Sequence, residues 1–227
     1  MITQKKKISK REIQEDNLVT TFYQVQEFYN EHKQTIIIAV AAIALIAFAT
    51  VWYSNKQIED NNLATEAMAK IIPSFENGSY QEAIDGEPGT QLSGLNDIVK
   101  NYSGTDQGEL AKIYLANSYY YLGDFANATK WYSSYSGDSK IHKAAAYAGQ
   151  AVCLENEKNF EAAAGYFSKA ASVSKFNAQT PDYLLSSGIN FLKAQNKDKA
   201  KSAFERIKKD YSESTVAQEV EKYLGQI

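Results

Sequence analysis

The chain has 227 residues, a net charge of −3, and 22% charged against 44% hydrophobic residues. That balance excludes a chain too polar to bury a core, and the roughly 170 residues beyond the first 53 are enough for one ordinary domain. One cysteine excludes an intramolecular disulfide, and only three prolines suit a mostly helical chain, since proline breaks helices.

Residues 1–34 form a basic tail. Met1–Lys7 is polar and reads as disordered. Ser9-Lys10-Arg11-Glu12 has the form of a capping box, so a helix is expected from Lys10 towards His32. Its apolar residues, Ile13, Leu18, Phe22, Val25, Phe28 and Tyr29, make an imperfect amphipathic stripe. Two readings stay open. The stripe lies on lipid headgroups, with Lys5–Lys7 drawn to anionic lipid, or it docks on a partner. Glu12, Glu15 and Asp16 follow the basic run directly and argue against nucleic acid.

Residues 35–55 hold the stretch that sorts the rest. Thr35–Tyr53 reads TIIIAVAAIALIAFATVWY, without a charge. A helix of about 20 apolar residues crosses a hydrocarbon core, and only a helix crosses as a single segment, because lipid offers backbone groups no partner. Lys33 before the run and Trp52 and Tyr53 at its end are the expected membrane-interface residues: rings with a polar edge suit the headgroup layer. Ala47-Phe48-Ala49 has the form of a leader cleavage site. The 34 residues ahead of the run, and its continuation through Tyr53, favour a retained anchor. Lys5, Lys6, Lys7, Lys10, Arg11 and Lys33 precede the span, whereas only Lys56 and Lys70 follow closely. The positive-inside rule then puts the N-terminus in the cytoplasm and the C-terminal part outside it, in a bacterium the periplasm.

Beyond Gln57 no segment alternates with period two, so helices are expected throughout. Self-similarity recurs in Glu109–Tyr135, Ala144–Ala170 and Pro181–Ile207. Ala116, Ala151 and Gly188 are small where two helices would cross, and Tyr119, Leu154 and Phe191 follow three residues later. Ala128/Tyr132, Ala163/Phe167 and Ala200/Phe204 repeat a small residue and a ring one turn apart. The turns read Gly123-Asp124-Phe125 and Lys158-Asn159-Phe160, while the third departs with Gln195-Asn196-Lys197. This pattern resembles the tetratricopeptide repeat, a helix–turn–helix unit of about 34 residues; the closing proline of that family is missing from all three units. Residues 56–105 read as a divergent first repeat, with Gly78-Ser79-Tyr80 as its turn, Pro73 interrupting its first helix, and Asp85–Gly89 as a turn-rich insertion. Residues 106–227 carry the repeats and end in a capping helix around Val216, Val220, Tyr223 and Leu224. The expected fold class is therefore all-α: one N-terminal transmembrane helix, then a tetratricopeptide-like α-solenoid with a C-terminal capping helix.

No phosphate loop, nucleophile elbow or zinc motif occurs, and His32 and His142 stand alone, so neither an enzyme nor a metal or cofactor is expected. Cys153 reads as a small buried hydrophobe. In such arrays the first helix of each pair lines the groove where partners bind. That rule assigns Ile113, Asn117, Tyr120 and Tyr121, then Val152 and Asn156, then Leu185 and Ile189 to a partner-binding groove. Basic tail, span and outside repeats together resemble the YfgM-like membrane-anchored tetratricopeptide proteins, ancillary subunits of the bacterial Sec translocon. The resemblance implies an inner-membrane interaction protein whose partners are Sec translocon subunits, nascent or unfolded polypeptide, periplasmic chaperones and membrane lipid. The alternative is an inner-membrane scaffold for envelope assembly or cell division that binds a folded partner.

Overall fold

A computed structural model describes residues 10–90, 92–225 and 227. Met1–Lys7 and the expected N-cap Ser9 lie outside the described residues. Among those described there are ten helices and no strand; a lone antiparallel bridge joins Gly86 and Ser93. The chain divides into two compact units, residues 1–56 and 57–227.

In the first unit, helix α1 (Lys10–Glu76) begins at the first described residue and runs through the apolar stretch. Ile37, Ile38, Val40, Ile43, Leu45, Ile46, Phe48 and Val51 are all 60–72% exposed. One helix is thus long and apolar enough to cross a membrane, and none of its apolar window is buried within the protein. An uncovered apolar cylinder of this length is unfavourable in water and matched to hydrocarbon. Lys33, Trp52 and Tyr53 are exposed at the ends of the run.

The second unit opens with the last turns of α1. Ala64, Met68 and Ile71, spaced by four and three residues, share one helical face. They pack against Ala83 and Ile84 of α2 (Tyr80–Asp85), Leu95 and Ile98 of α3 (Leu95–Asn101), and Ala111 and Leu115 of α4 (Asp106–Tyr121). Pro73 does not interrupt the helix as the sequence suggests; it lies inside α1, which continues to Glu76. Proline removes the one bond its own N–H would make to the preceding turn, while its carbonyl still accepts from the Asn77 N–H at 2.9 Å. The insertion after α2 closes on itself: Glu87 N–H donates to the Leu92 carbonyl at 3.0 Å. At Gly86, with φ 73°, a Cβ would stand 2.3 Å from that same carbonyl oxygen, so the hairpin requires glycine.

Three helix pairs follow: α4 with α5 (Phe125–Ser133), α6 (Lys140–Asn156) with α7 (Phe160–Val173), and α8 (Thr180–Lys193) with α9 (Lys197–Asp210). Their interhelical turns share one backbone solution. Gly123, Lys158 and Gln195 have φ of 80°, 63° and 62°. At each, this residue's N–H returns to the carbonyl three back, and the next N–H reaches the carbonyl five back: Asp124 to Tyr119, Asn159 to Leu154, Asn196 to Phe191, at 2.8–2.9 Å. Gly78 and Ser79 repeat the pattern, with φ 82° and Ser79 N–H on the Ser74 carbonyl at 2.9 Å. The third turn departs from the pattern in sequence but not in conformation.

The small positions lie where helices approach. Ala116, Ala128, Ala151, Ala163 and Ala200 are fully buried. A Cβ on Gly188 would stand 2.3 Å from the Phe204 ring, so that ring occupies the place of a side chain. Helix α10 (Thr215–Leu224) ends the array, burying Val216 and Val220 and stacking Tyr223 on Phe204 with centroids 5.4 Å apart.

Candidate functional site

The first helices of the pairs, α4, α6 and α8, bring their C-terminal ends into a row. Asn156 of α6 is exposed, and its amide donates to the Val152 carbonyl at 2.9 Å and towards the Tyr120 hydroxyl of α4 at 3.5 Å. One residue earlier, Glu155 accepts from Lys193 of α8 at 2.6 Å. At the other end, Tyr121 is 58% exposed and stacks on Tyr80 with centroids 4.7 Å apart and planes 14° from parallel. Phe75 meets Tyr80 and Tyr114 edge-on, at 5.5 and 5.1 Å, and Tyr120 meets Tyr121 and Phe125 at 5.6 Å each. The result is a strip of rings running from Phe75 and Tyr80 through Tyr121 and Tyr120 to Asn156, closed by the Glu155–Lys193 pair.

Its chemistry combines apolar rings with hydrogen-bonding groups. Fixed rings offer large contact area with little rotamer freedom left to lose, and hydroxyls and an amide pair with backbone groups. Leu122, 47% exposed, adds apolar area beside it.

The expected groove residues separate into three groups. Tyr120, Tyr121 and Asn156 converge in the strip. Val152, Leu185 and Ile189 are half-buried; Leu185 and Ile189 pack against the core of the last repeat. Ile113 and Asn117 are placed otherwise than expected. Ile113 is only 7% exposed, in a buried cluster that joins Ala128 and Tyr132 of its own repeat to Ala146 and Cys153 of the next, leaving it little surface for a partner. Asn117 accepts from the Tyr132 hydroxyl and so serves the interior. Phe75 and Tyr80 were not legible as strip residues from sequence; the ring after Gly78-Ser79 was the available sign.

Burial pushes the Tyr132 hydroxyl well above the usual phenol range, with Cys153, Tyr121 and Tyr120 nearby adding to it, so it remains a neutral donor to Asn117. Cys153 is fully buried and free, and burial raises its thiol too. That is the inert interior role expected of it.

A second concavity, a cleft of about 460 Å³, lies at the start of α4, lined by Asp106, Gln107, Glu109, Tyr135, Asp138 and His142 among others. Glu109 is already committed there. Lys112 donates to it, and so does the Ser136 N–H at 2.7 Å, while Lys112 also holds the Ser134 carbonyl at 3.1 Å. This buried pair fastens the α5–α6 loop to α4. Among the described residues no cluster of His, Cys, Asp and Glu could hold a metal ion.

Compared with known proteins, residues 26–224 match the family model of the tetratricopeptide repeat-like domain. The chain belongs to that family. The match begins ahead of the apolar run, so the family pattern takes in α1 as well as the helix pairs. No curated protein and no solved structure matches the chain. Tetratricopeptide-like arrays are interaction scaffolds, which fits a site built of rings and amides.

Proposed function

We propose that this chain is a non-enzymatic, membrane-anchored adaptor. Residues 36–53 span a bacterial inner membrane, the N-terminus is cytoplasmic, and the repeats work in the periplasm beside the Sec translocon. There they contact emerging polypeptide and pass it to periplasmic chaperones. The observation that carries the binding half is the ring strip: exposed Tyr121 stacked on half-buried Tyr80, with half-buried Tyr120 and exposed Asn156 alongside. Unfolded chains present apolar side chains and unpaired backbone groups together, and this strip offers partners for both. The anchor reading is supported by the uncovered apolar helix and by the family match reaching in front of it. Orientation rests on the six cations before the span against two soon after it. The translocon is drawn from the resemblance of topology and repeat pattern.

The test is a photoreactive phenylalanine analogue at Tyr121 in intact cells. An adaptor for emerging chains gives a broad ladder of crosslinked secretory polypeptides that vanishes when translation is blocked, together with Sec subunits after mild detergent extraction. A single sharp adduct that persists without translation would overturn this reading in favour of a scaffold for envelope assembly or division holding one folded partner.

A further inference from the structure

The polar end of the ring strip is set by one side chain. Asn156, the last residue of α6, donates through Nδ2 to the Val152 carbonyl one turn back at 2.9 Å, and towards the Tyr120 hydroxyl at 3.5 Å. A carbonyl only accepts, so the NH2 group must face Val152, and this fixes which way round the amide stands. Both N–H groups of Nδ2 are then used within the protein. The other end of the amide, Oδ1, takes no hydrogen bond from any described residue. It belongs to an exposed side chain, and its lone pairs are open to water. The carboxylate next in the chain is in a different state. Glu155 is held by Lys193 at 2.6 Å, so the neighbouring charge is neutralised within the protein.

Tyr120 touches both the Tyr121 ring and the Asn156 amide, so a segment resting on the two rings covers Asn156 as well. It displaces the water on Oδ1, and an amide oxygen enclosed without a donor is costly. The ligand must then bring a donor to that point. Beyond its first turn, an α-helical segment cannot supply one from its main chain, since its N–H groups are spent on its own carbonyls. An extended segment can, because every residue except proline carries a free N–H. It also turns alternate side chains to one face, where the rings lie.

We propose that Asn156 Oδ1 accepts a main-chain N–H of the bound polypeptide. The strip therefore takes extended segments that are apolar on alternate residues. It rejects the same segment when helical, or when proline stands at the paired residue. Recognition then reads a backbone group that nearly all residues share, which suits a site meeting many sequences. This deepens the binding reading above and rests on the strip being a binding site.

The experiment titrates the full chain in dodecyl maltoside with a fluorescein-labelled peptide of alternating valine and serine around one central phenylalanine, read by anisotropy. Further versions of the peptide have one backbone N–H at a time replaced by an ester oxygen. At one position the ester should weaken binding about tenfold, with the others changing it by less than about threefold. Asn156→Leu should weaken the parent peptide about tenfold, and the sensitive position should disappear, because the two losses are one interaction. A version locked helical by a side-chain bridge should bind the unaltered chain about tenfold more weakly or worse. A flat ester profile, a sensitive position that survives in Asn156→Leu, or helical binding as tight as the parent's would each overturn the proposal. Tyr121→Ala separates this from the wider reading. Parent binding that falls in Tyr121→Ala but shows a flat ester profile removes the role of Asn156 and leaves the strip. Parent binding that is absent, or indifferent to Tyr121→Ala, removes both.

Discussion

The ring of Tyr132, from α5, occupies the place where Gly149 of α6 would carry a side chain. A Cβ there would stand 2.3 Å from a ring carbon. The same tyrosine donates its hydroxyl to Asn117 of α4. One side chain therefore joins both helices of its own repeat to the first helix of the next. Stability of a repeat array is nearly a sum of such neighbour terms, so this contact couples the units.

Gly149→Ala should destabilise the repeat unit by about 2 kcal/mol, since the Tyr132 ring cannot move without opening the interface. Gly165 is the control: a Cβ there meets nothing within 4 Å. In mid-helix, Gly165→Ala should raise stability by about 0.5–1 kcal/mol. Urea melts of the two variants should move in opposite directions.

Lys158 and Gln195 hold a left-handed backbone that Gly78 and Gly123 adopt freely in the equivalent turns. A side chain in that region costs roughly 1 kcal/mol. Lys158→Gly and Gln195→Gly should therefore each stabilise the fold by up to about 0.5 kcal/mol, after the added freedom of the unfolded chain is counted. Thermal melts check this, and a fall in midpoint for both would contradict the strain argument.

The Glu109–Lys112 pair makes stability depend on acid. Burial opposes ionisation of Glu109, but Lys112 and the Ser136 N–H outweigh it, so the folded carboxyl titrates below its ordinary 4.5. As pH falls, the unfolded chain takes up this proton first. The contribution is thus fully present above about pH 4.5 and lost as pH drops through the lower folded value. Lys112→Met should cost about 3 kcal/mol at neutral pH by leaving a buried carboxylate unpaired. That loss should shrink towards pH 4 and below as Glu109 becomes neutral. A loss independent of pH would show that packing, not charge, is what Lys112 supplies.

Tyr121→Ala and Tyr80→Ala should each weaken capture of an unfolded polypeptide by about tenfold or more, the usual scale for a central aromatic contact. Tyr121 is more than half exposed, so its removal should leave the melting midpoint within about 2 °C. Ile113→Ala should behave the other way, costing about 3 kcal/mol of stability with no direct effect on binding, because its side chain is enclosed. Titration with a permanently unfolded, fluorescently labelled polypeptide separates the two effects.

The repeats were legible because close helix crossings demand a small residue at one place and a ring one turn further. Ala128/Tyr132 and Ala200/Phe204 state this directly in the chain. Pro73 misled because a single proline removes one bond to the preceding turn without stopping the ladder beyond it: its own carbonyl still accepts from the Asn77 N–H at 2.9 Å. Ile113 misled for a different reason. A groove position assigned within one repeat takes no account of the next, and Ala146 and Cys153 come from that neighbour.

The sequence alone determined which environment each segment requires. The unbroken apolar run is long enough to cross a bilayer, and a recurrent pattern of small residues and rings needs a partner helix at fixed spacing. Both are matters of local composition and period. Which rings remain available to a partner was decided only by the tertiary structure. Tyr132 is set apart in the chain by its place one turn after Ala128, but nothing there links Tyr121 to Phe75 and Tyr80. The fold turns Tyr132 inward onto Asn117 and Gly149, and it gathers Tyr121 with the distant Phe75 and Tyr80. Exposure is a property of the packed neighbours, and these lie in other helices.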